Sequence, residues 1–261
     1  MTYDPIERND RRFENGILET AFLHITHHPV QIEIVMESTF HRELKLYYGG
    51  SADDTEVSID GFRIDAVVDG KLYEIQQASL GALRKKVRTL LESHSVVVVK
   101  PLASRKMLVR RAQRNGPIVS MRYSPTKETL HHLFVDLVYF VDVFPHRRLT
   151  LEIVLTEQEE HRVTRVRRRR FGPDYRVTDR RLIRVVSSLS LRTLTDLRKL
   201  LPESLPSSFT TEDLAREAKI PRWIAQKMAY CLRKTGAVEC TGKRGRSLLY
   251  TQPKRKSRRA A

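Results

Sequence analysis

Residues 56–77 read EVSIDGFRIDAVVDGKLYEIQQ. Two Asp-Gly pairs, Asp60-Gly61 and Asp69-Gly70, divide this stretch into three short segments, 56–59, 62–68 and 71–77. Asp-Gly between alternating runs is a strong hairpin signal, because both turn residues need positive φ and these two tolerate it. The stretch is expected to be a three-stranded antiparallel meander.

Register follows from the turns. If each Asp-Gly pair is a two-residue loop, Ile59 pairs with Phe62 and Val68 with Lys71. Counting outward, Glu56 faces Asp65 and Asp65 faces Glu74, so three carboxylates lie side by side on one face. Ser58, Arg63 and Gln76 form the next row. Like charges directly opposed across strands are destabilising, so the row demands positive charge. A divalent cation is one source, since hard oxygen ligands attract it. Arg63 or a lysine on a solvent-open face is the other.

Working outward, Ser38 or Thr39 can cap a helix that buries Phe40, Leu44 and Tyr47 and stops at Gly49-Gly50. After the meander, residues 80–93 read as a helix with Leu83, Val87, Leu90 and Leu91 on one face. Val96–Val99 has no alternation, which marks a strand buried on both sides. Strand, helix, strand implies a parallel crossover. A helix at 128–143 and a strand at 149–155 extend the module, followed by a strand at 182–186 and a helix at 191–201. Residues 202–208 look like a linker. Ahead of all this, residues 13–22 are compatible with a short helix and 31–36 with a strand. His24, His27 and His28 precede Pro29 and read as a polar turn rather than a metal site.

Composition narrows the function classes. An apolar fraction of 40% supports a packed core. No signal segment and no run of 18 apolar residues is present, so no membrane partner and a cytoplasmic location are expected. The two cysteines, Cys231 and Cys240, are too few for a disulfide framework and read as small buried hydrophobes. Charge is uneven. Residues 1–160 carry 21 Lys and Arg against 23 Asp and Glu, a net of −2, while residues 161–261 carry 27 against 8, a net of +19. Such asymmetry points to a polyanion, above all DNA.

Arg63-Ile64-Asp65 followed by Tyr73-Glu74-Ile75-Gln76 resembles the core of the PD-(D/E)XK nucleases. In that superfamily an Asp on one strand and a Glu-x-Lys on the next hold Mg²⁺. The lysine position here is Gln76, as in Glu-x-Gln members such as CoiA-type competence proteins. The resemblance covers about residues 37–101. It implies Mg²⁺ (or Mn²⁺) held by Asp65, Glu74 and the Ile75 carbonyl. Glu56 or Glu37 would be an auxiliary ligand or general base, with Glu43 competing for the helix position. Gln76 would orient a water, or Lys86 would reach in from the following helix to replace the missing lysine. The bland reading of Lys86 is a surface lysine.

Near the C-terminus, Thr210 and Asp213 form a capping-box-like start to a short helix. Lys219-Ile220-Pro221 is a turn, a helix at 222–235 follows, and Gly236 stops it. A hairpin around Gly242-Lys243-Arg244-Gly245-Arg246 comes next. Helices, turn, stop and basic hairpin in this order read as a winged helix. The expected DNA contacts are Arg222, Gln226, Lys227, Tyr230 and Arg233 on the second helix, with Lys243, Arg244 and Arg246 on the wing. Together with the nuclease-like core, this also resembles a group of uncharacterised bacterial proteins.

The expected fold class is an α/β (α+β) nuclease-like core with a mixed sheet, plus a small winged helix-turn-helix domain. The expected organisation is an N-terminal extension (1–29), a nuclease-like domain (30–160), an Arg-rich connecting segment (161–206), a winged helix (207–252) and a basic tail (253–261). The function expected is metal-dependent cleavage of DNA. The alternative is a DNA-binding regulator whose nuclease fold has lost activity.

Overall fold

The computed structural model describes residues 37–51, 54–165 and 172–253. The expectations for the N-terminal extension, for the strand at 31–36, for residues 166–171 of the Arg-rich segment and for the basic tail lie outside the described residues.

The meander forms at the expected places. Strands β1 (Thr55–Ile59), β2 (Phe62–Val68) and β3 (Lys71–Ile75) are antiparallel neighbours. Ile59 pairs with Phe62 and Val68 with Lys71, so both turns have two residues. Asp60, Gly61, Asp69 and Gly70 all have positive φ, between 50° and 77°. Beyond β3, a 3₁₀ turn (Leu80–Leu83) and helix α2 (Arg84–Leu90) lead to β4 (Ser95–Arg111), which lies parallel to β3. Strand β5 (Ile118–Tyr123) pairs with the far half of β4. A 3₁₀ turn (Leu130–His132) and helix α3 (Leu133–Leu137) lead to β6 (Leu149–Thr164), parallel to β4, and β7 (Tyr175–Leu191) closes the edge antiparallel to β6. The architecture is therefore α+β with a mixed seven-stranded sheet, in the order β1-β2-β3-β4-β6-β7, with β5 on β4.

Helix α1 (Thr39–Gly49) lies on one face of this sheet. The Ser38 hydroxyl accepts a hydrogen bond from the His41 N–H and caps its start. Phe40 and Leu44 are buried against Ile75, Val97, Val99 and Val154. Gly49 is needed for close approach: a Cβ there would meet Thr55 Cγ2 at 3.0 Å and Ala66 Cβ at 3.3 Å. Tyr47, expected inside, is exposed. Tyr48 packs on Tyr73 instead and donates to Glu152. A helix stripe continues at i+4 and i+8 as well as at i+7, and here the sheet selects the former.

Several elements differ in length from the sequence reading. β4, β6 and β7 run to 17, 16 and 17 residues, where strands of about five to seven were expected. Their outer halves carry Arg105, Lys106, Arg110, Arg162, Arg180 and Arg184. Ladder hydrogen bonds hold such residues in strands regardless of polarity, so the apolar pattern ends before the strands do. The helices expected at 128–143 and 191–201 shrink to α3 and to α4 (Leu194–Arg198). Thr193 and Asp196 cap α4, but Leu197, Leu200 and Leu201 all enter the core and end the regular turns early.

The C-terminal elements are β8 (Ser208–Phe209), α5 (Thr211–Glu217), α6 (Arg222–Thr235), β9 (Glu239–Arg244) and β10 (Ser247–Thr251), with the three strands in the order β8-β10-β9. Thr210 and Asp213 form a complete capping box on α5, and Gly236 at φ 80° ends α6. Residues 202–208 do not act as a loose linker, because Leu205 packs on the core and one hydrophobic cluster runs from Leu72 and Val98 through Phe140 to Ile224 and Leu232. The described residues from Glu37 onward accordingly form one compact unit. Cys231 is buried, and burial pushes its thiol up to about 12. Cys240, expected to be buried, is exposed, because it lies on the edge strand β9, whose residues are exposed on both faces. Among the described residues no helix is long and apolar enough to cross a membrane.

Candidate functional site

The carboxylates gather where the meander opens. Pairing of β2 with β3 runs from Val68/Lys71 to Ala66/Tyr73 and goes no further. Asp65 takes over the next hydrogen bond with its side chain: the Ile75 N–H donates to Asp65 Oδ2 at 2.7 Å. The Asp65 side chain thus bridges β2 to β3 and adds like charge beside the Glu74 carboxyl. On the other side, Glu56 sits opposite Asp65 by count, but at φ 60° it interrupts the β1–β2 ladder.

The charges are compensated from two helices. Lys45 of α1 is buried, with Nζ 2.6 Å from Glu37, 2.7 Å from Glu56 and 3.8 Å from Asp65. Burial alone would lower the Lys45 ammonium, but its carboxylate partners outweigh that and hold it above its ordinary value. His41 Nε2 lies 3.2 Å from Asp65 and 3.4 Å from Glu37. Glu56 is also paired with Arg63, and Lys45 and Arg63 together hold its carboxyl below the usual range. For Asp65, burial pushes upward, but His41 and the Ile75 N–H win and keep it low.

Glu74 behaves in the opposite way. It is 3% exposed. Burial, with Asp65 adding like charge, pushes its carboxyl up to about 7 against the pull of Lys86. Lys86 reaches down from α2, its Nζ 2.5 Å from Glu74 Oε1, and also donates to the Arg63 carbonyl. No donor is aligned with the lone pairs of that oxygen. At this distance the attraction is coulombic whatever the angle, so Lys86 and the ionised Glu74 carboxyl form an ion pair.

The remaining residues fall as follows. Gln76 Nε2 is committed to the Ser79 carbonyl. Glu43 turns away to accept from the Leu182 N–H of β7. Sequence reasoning passed over His41 and Lys45, although they stand at i, i+4 on one face of α1, with Glu37 just ahead of the Ser38 cap. On α6, Arg222, Gln226, Tyr230 and Arg233 are exposed, whereas Lys227 is half-buried with Nζ 5.9 Å from the Tyr139 ring. Lys243 and Arg246 are exposed at the β9–β10 tip. Arg244 folds back onto Asp213 at 3.1 Å and is tied to the α5 cap. Among the described residues no group of three or more His, Cys, Asp or Glu side chains is arranged to hold a metal.

The family model for a domain of unknown function, DUF8091, matches residues 38–192, which span α1 to the end of β7. The chain belongs to the DUF8091 family. The matched region contains Lys45, Asp65, Glu74 and Lys86, and stops before the C-terminal helices. An uncharacterised protein of Treponema pallidum (strain Nichols) is 31% identical over 220 residues, which cover 84% of this chain and 86% of the relative. That similarity is longer than the DUF8091 match and so extends past it. No solved structure matches the chain.

Proposed function

We propose that this DUF8091 protein is a metal-dependent DNA nuclease of the PD-(D/E)XK type, delivered to DNA by a C-terminal winged helix. The observation that carries the reading is the Asp65–Glu74 pair on β2 and β3 where their ladder opens, with Lys86 brought onto Glu74 from α2. Asp65, Glu74 and the Ile75 carbonyl are the groups that would hold Mg²⁺ or Mn²⁺. The donor chemistry fits, since both are oxygen acids and Glu74 Oε1 has no aligned donor of its own. A bound divalent cation would supply positive charge at the phosphate and a more acidic water. Lys86, brought onto Glu74 from α2, could take the part that the strand lysine plays in Glu-x-Lys enzymes, its ammonium offsetting charge that develops on the phosphate. With its amide N–H spent on Ser79, Gln76 retains Oε1 as an acceptor for a water proton. Glu37 and Glu56 share Lys45, which makes them supports of the site rather than first ligands.

Helices α5 and α6 with the β9–β10 hairpin have the order and strand pairing of a winged helix. The exposed side chains Arg222, Gln226, Tyr230 and Arg233 suit a major groove, and Lys243 and Arg246 suit phosphates. The test is cleavage of plasmid and single-stranded DNA with Mg²⁺ or Mn²⁺. The native protein is expected to cut, and Asp65→Ala to lose orders of magnitude in rate while its gel-shift affinity stays. The second reading, a non-cleaving DNA-binding regulator, is favoured by Lys45, which already supplies a cation to three carboxylates. DNA binding without metal-dependent cutting would select it.

A further inference from the structure

A cleft of about 430 Å³ opens between the sheet, α3 and the first turn of α6. Its size lies within the range of small-molecule sites, about 300–1,000 Å³. Three features of its wall point to one kind of ligand.

The first is surplus positive charge. Glu160 is buried and holds three cations: Arg162 at 2.6 Å, Arg180 at 3.0 Å and Lys106 at 3.6 Å. One carboxylate cannot neutralise three cations, and two of them, Lys106 and Arg180, line the cleft. The acids on the wall reduce the surplus without removing it. Asp136 is paired with the buried Lys100 at 2.8 Å, and Glu128, although it accepts from the Ala103 N–H at 2.6 Å, keeps its negative charge, so Lys106, Arg162 and Arg180 against Glu160 and Glu128 leave one net positive charge. The second feature is Trp223, in the first turn of α6, which lines the cleft and is 49% exposed. A half-exposed indole is a stacking platform for a planar ring. The third is an imidazole donor. The Thr129 N–H donates to His132 Nδ1, which leaves the proton of the neutral ring on Nε2.

We infer that this cleft is a nucleotide-binding site, with the base stacked on Trp223 and the phosphate held by Lys106 and Arg180. The ligand class is a nucleoside phosphate, either free or as the phosphorylated end of a DNA strand. The site lies outside the Asp65–Glu74 pair and needs no metal, so it stands apart from the cleavage chemistry proposed above.

Trp223 is the chain's single tryptophan, so its fluorescence reports the site directly. The full chain is titrated in EDTA and low salt with dAMP, deoxyadenosine, inorganic phosphate, and oligo-dA bearing a 5′-phosphate or a 5′-hydroxyl. Saturable quenching by dAMP is expected, about tenfold tighter than by deoxyadenosine. Preference for the 5′-phosphorylated oligonucleotide over dAMP assigns the strand end, and the reverse assigns the free nucleotide. Lys106→Met should weaken dAMP about tenfold and leave deoxyadenosine unchanged, with Glu160 still held by two arginines. Calorimetry on Trp223→Phe should retain binding that Trp223→Ala loses, which separates stacking from folding. Asp65→Ala should quench as the native chain does even if it cannot cut DNA. Absence of quenching by dAMP and by both oligonucleotides overturns the inference. So does equal affinity for dAMP and deoxyadenosine that Lys106→Met does not alter.

Discussion

Replacing Glu74 by Gln removes the one buried acid of the site whose carboxyl is pushed up, and the consequence can be worked through. Glu74 ordinarily titrates at 4.5 and is raised to about 7 here. Each unit is worth about 1.4 kcal/mol, so ionising Glu74 in the folded chain costs about 3 kcal/mol. Between pH 4.5 and 7 the folded chain holds a proton that the unfolded chain has released. Stability therefore falls as pH rises through this window, and the cost is complete above pH 7 and absent below pH 4.5. Gln has nearly the same shape and no charge. The unfolding free energy of Glu74→Gln minus that of the native chain should rise by about 3 kcal/mol from pH 4.5 to pH 8. At about 2–4 °C per kcal/mol, that is a change of about 6–12 °C in the difference between melting temperatures. The attraction of Lys86 acts on the ionised carboxyl and is already contained in that shift. Urea unfolding followed by Trp223 fluorescence at several pH values measures the difference. A difference that stays flat from pH 4.5 to 8 would refute the account of Glu74 as a strained, half-protonated acid.

Three other perturbations follow from the same side-chain pairings. Lys45→Met leaves Glu37, Glu56 and Asp65 facing one another and should cost about 2–3 kcal/mol, below the ~3–5 of a fully buried pair because Glu37 and Glu56 are 33% and 36% exposed; millimolar Mn²⁺ should restore part of its melting temperature, and no restoration would mean these acids cannot accept a metal. Lys86→Met should lower cleavage and move the pH optimum upward, because the Glu74 carboxyl then rises further; a pH–rate profile of unchanged shape would remove Lys86 from the site. Substituting Arg222, Lys243 and Arg246 by Ala should flatten the slope of log K against log salt by about 0.9 for each phosphate that is no longer neutralised, whereas Arg244→Ala should act on stability through Asp213; equal slopes in the native and triple-substituted chains would place the DNA surface elsewhere.

The sequence by itself determined whatever depends on neighbours along the chain. Two Asp-Gly pairs force two-residue turns, and turn length fixes register, so the pairs Ile59/Phe62 and Val68/Lys71 were legible before any coordinates, whereas the opening of the ladder at Asp65 and the break at Glu56 were not. The capping box of Thr210 and Asp213 and the stop at Gly236 were legible for the same reason. Tertiary structure decided what depends on distant partners. Strands β4, β6 and β7 extend through Arg-rich segments because each is paired along its length, and side-chain polarity carries no record of that pairing. The leucines after α4 look like one helix in sequence, yet the shared core draws them in and joins the C-terminal elements to the sheet. The register demanded positive charge near three acids, and the sequence offered Arg63 and Lys86 for it but gave no sign of Lys45. Lys45 arrives from a helix before the meander and Lys86 from one after it, and only packing brings those two ammonium groups to either side of the opened ladder.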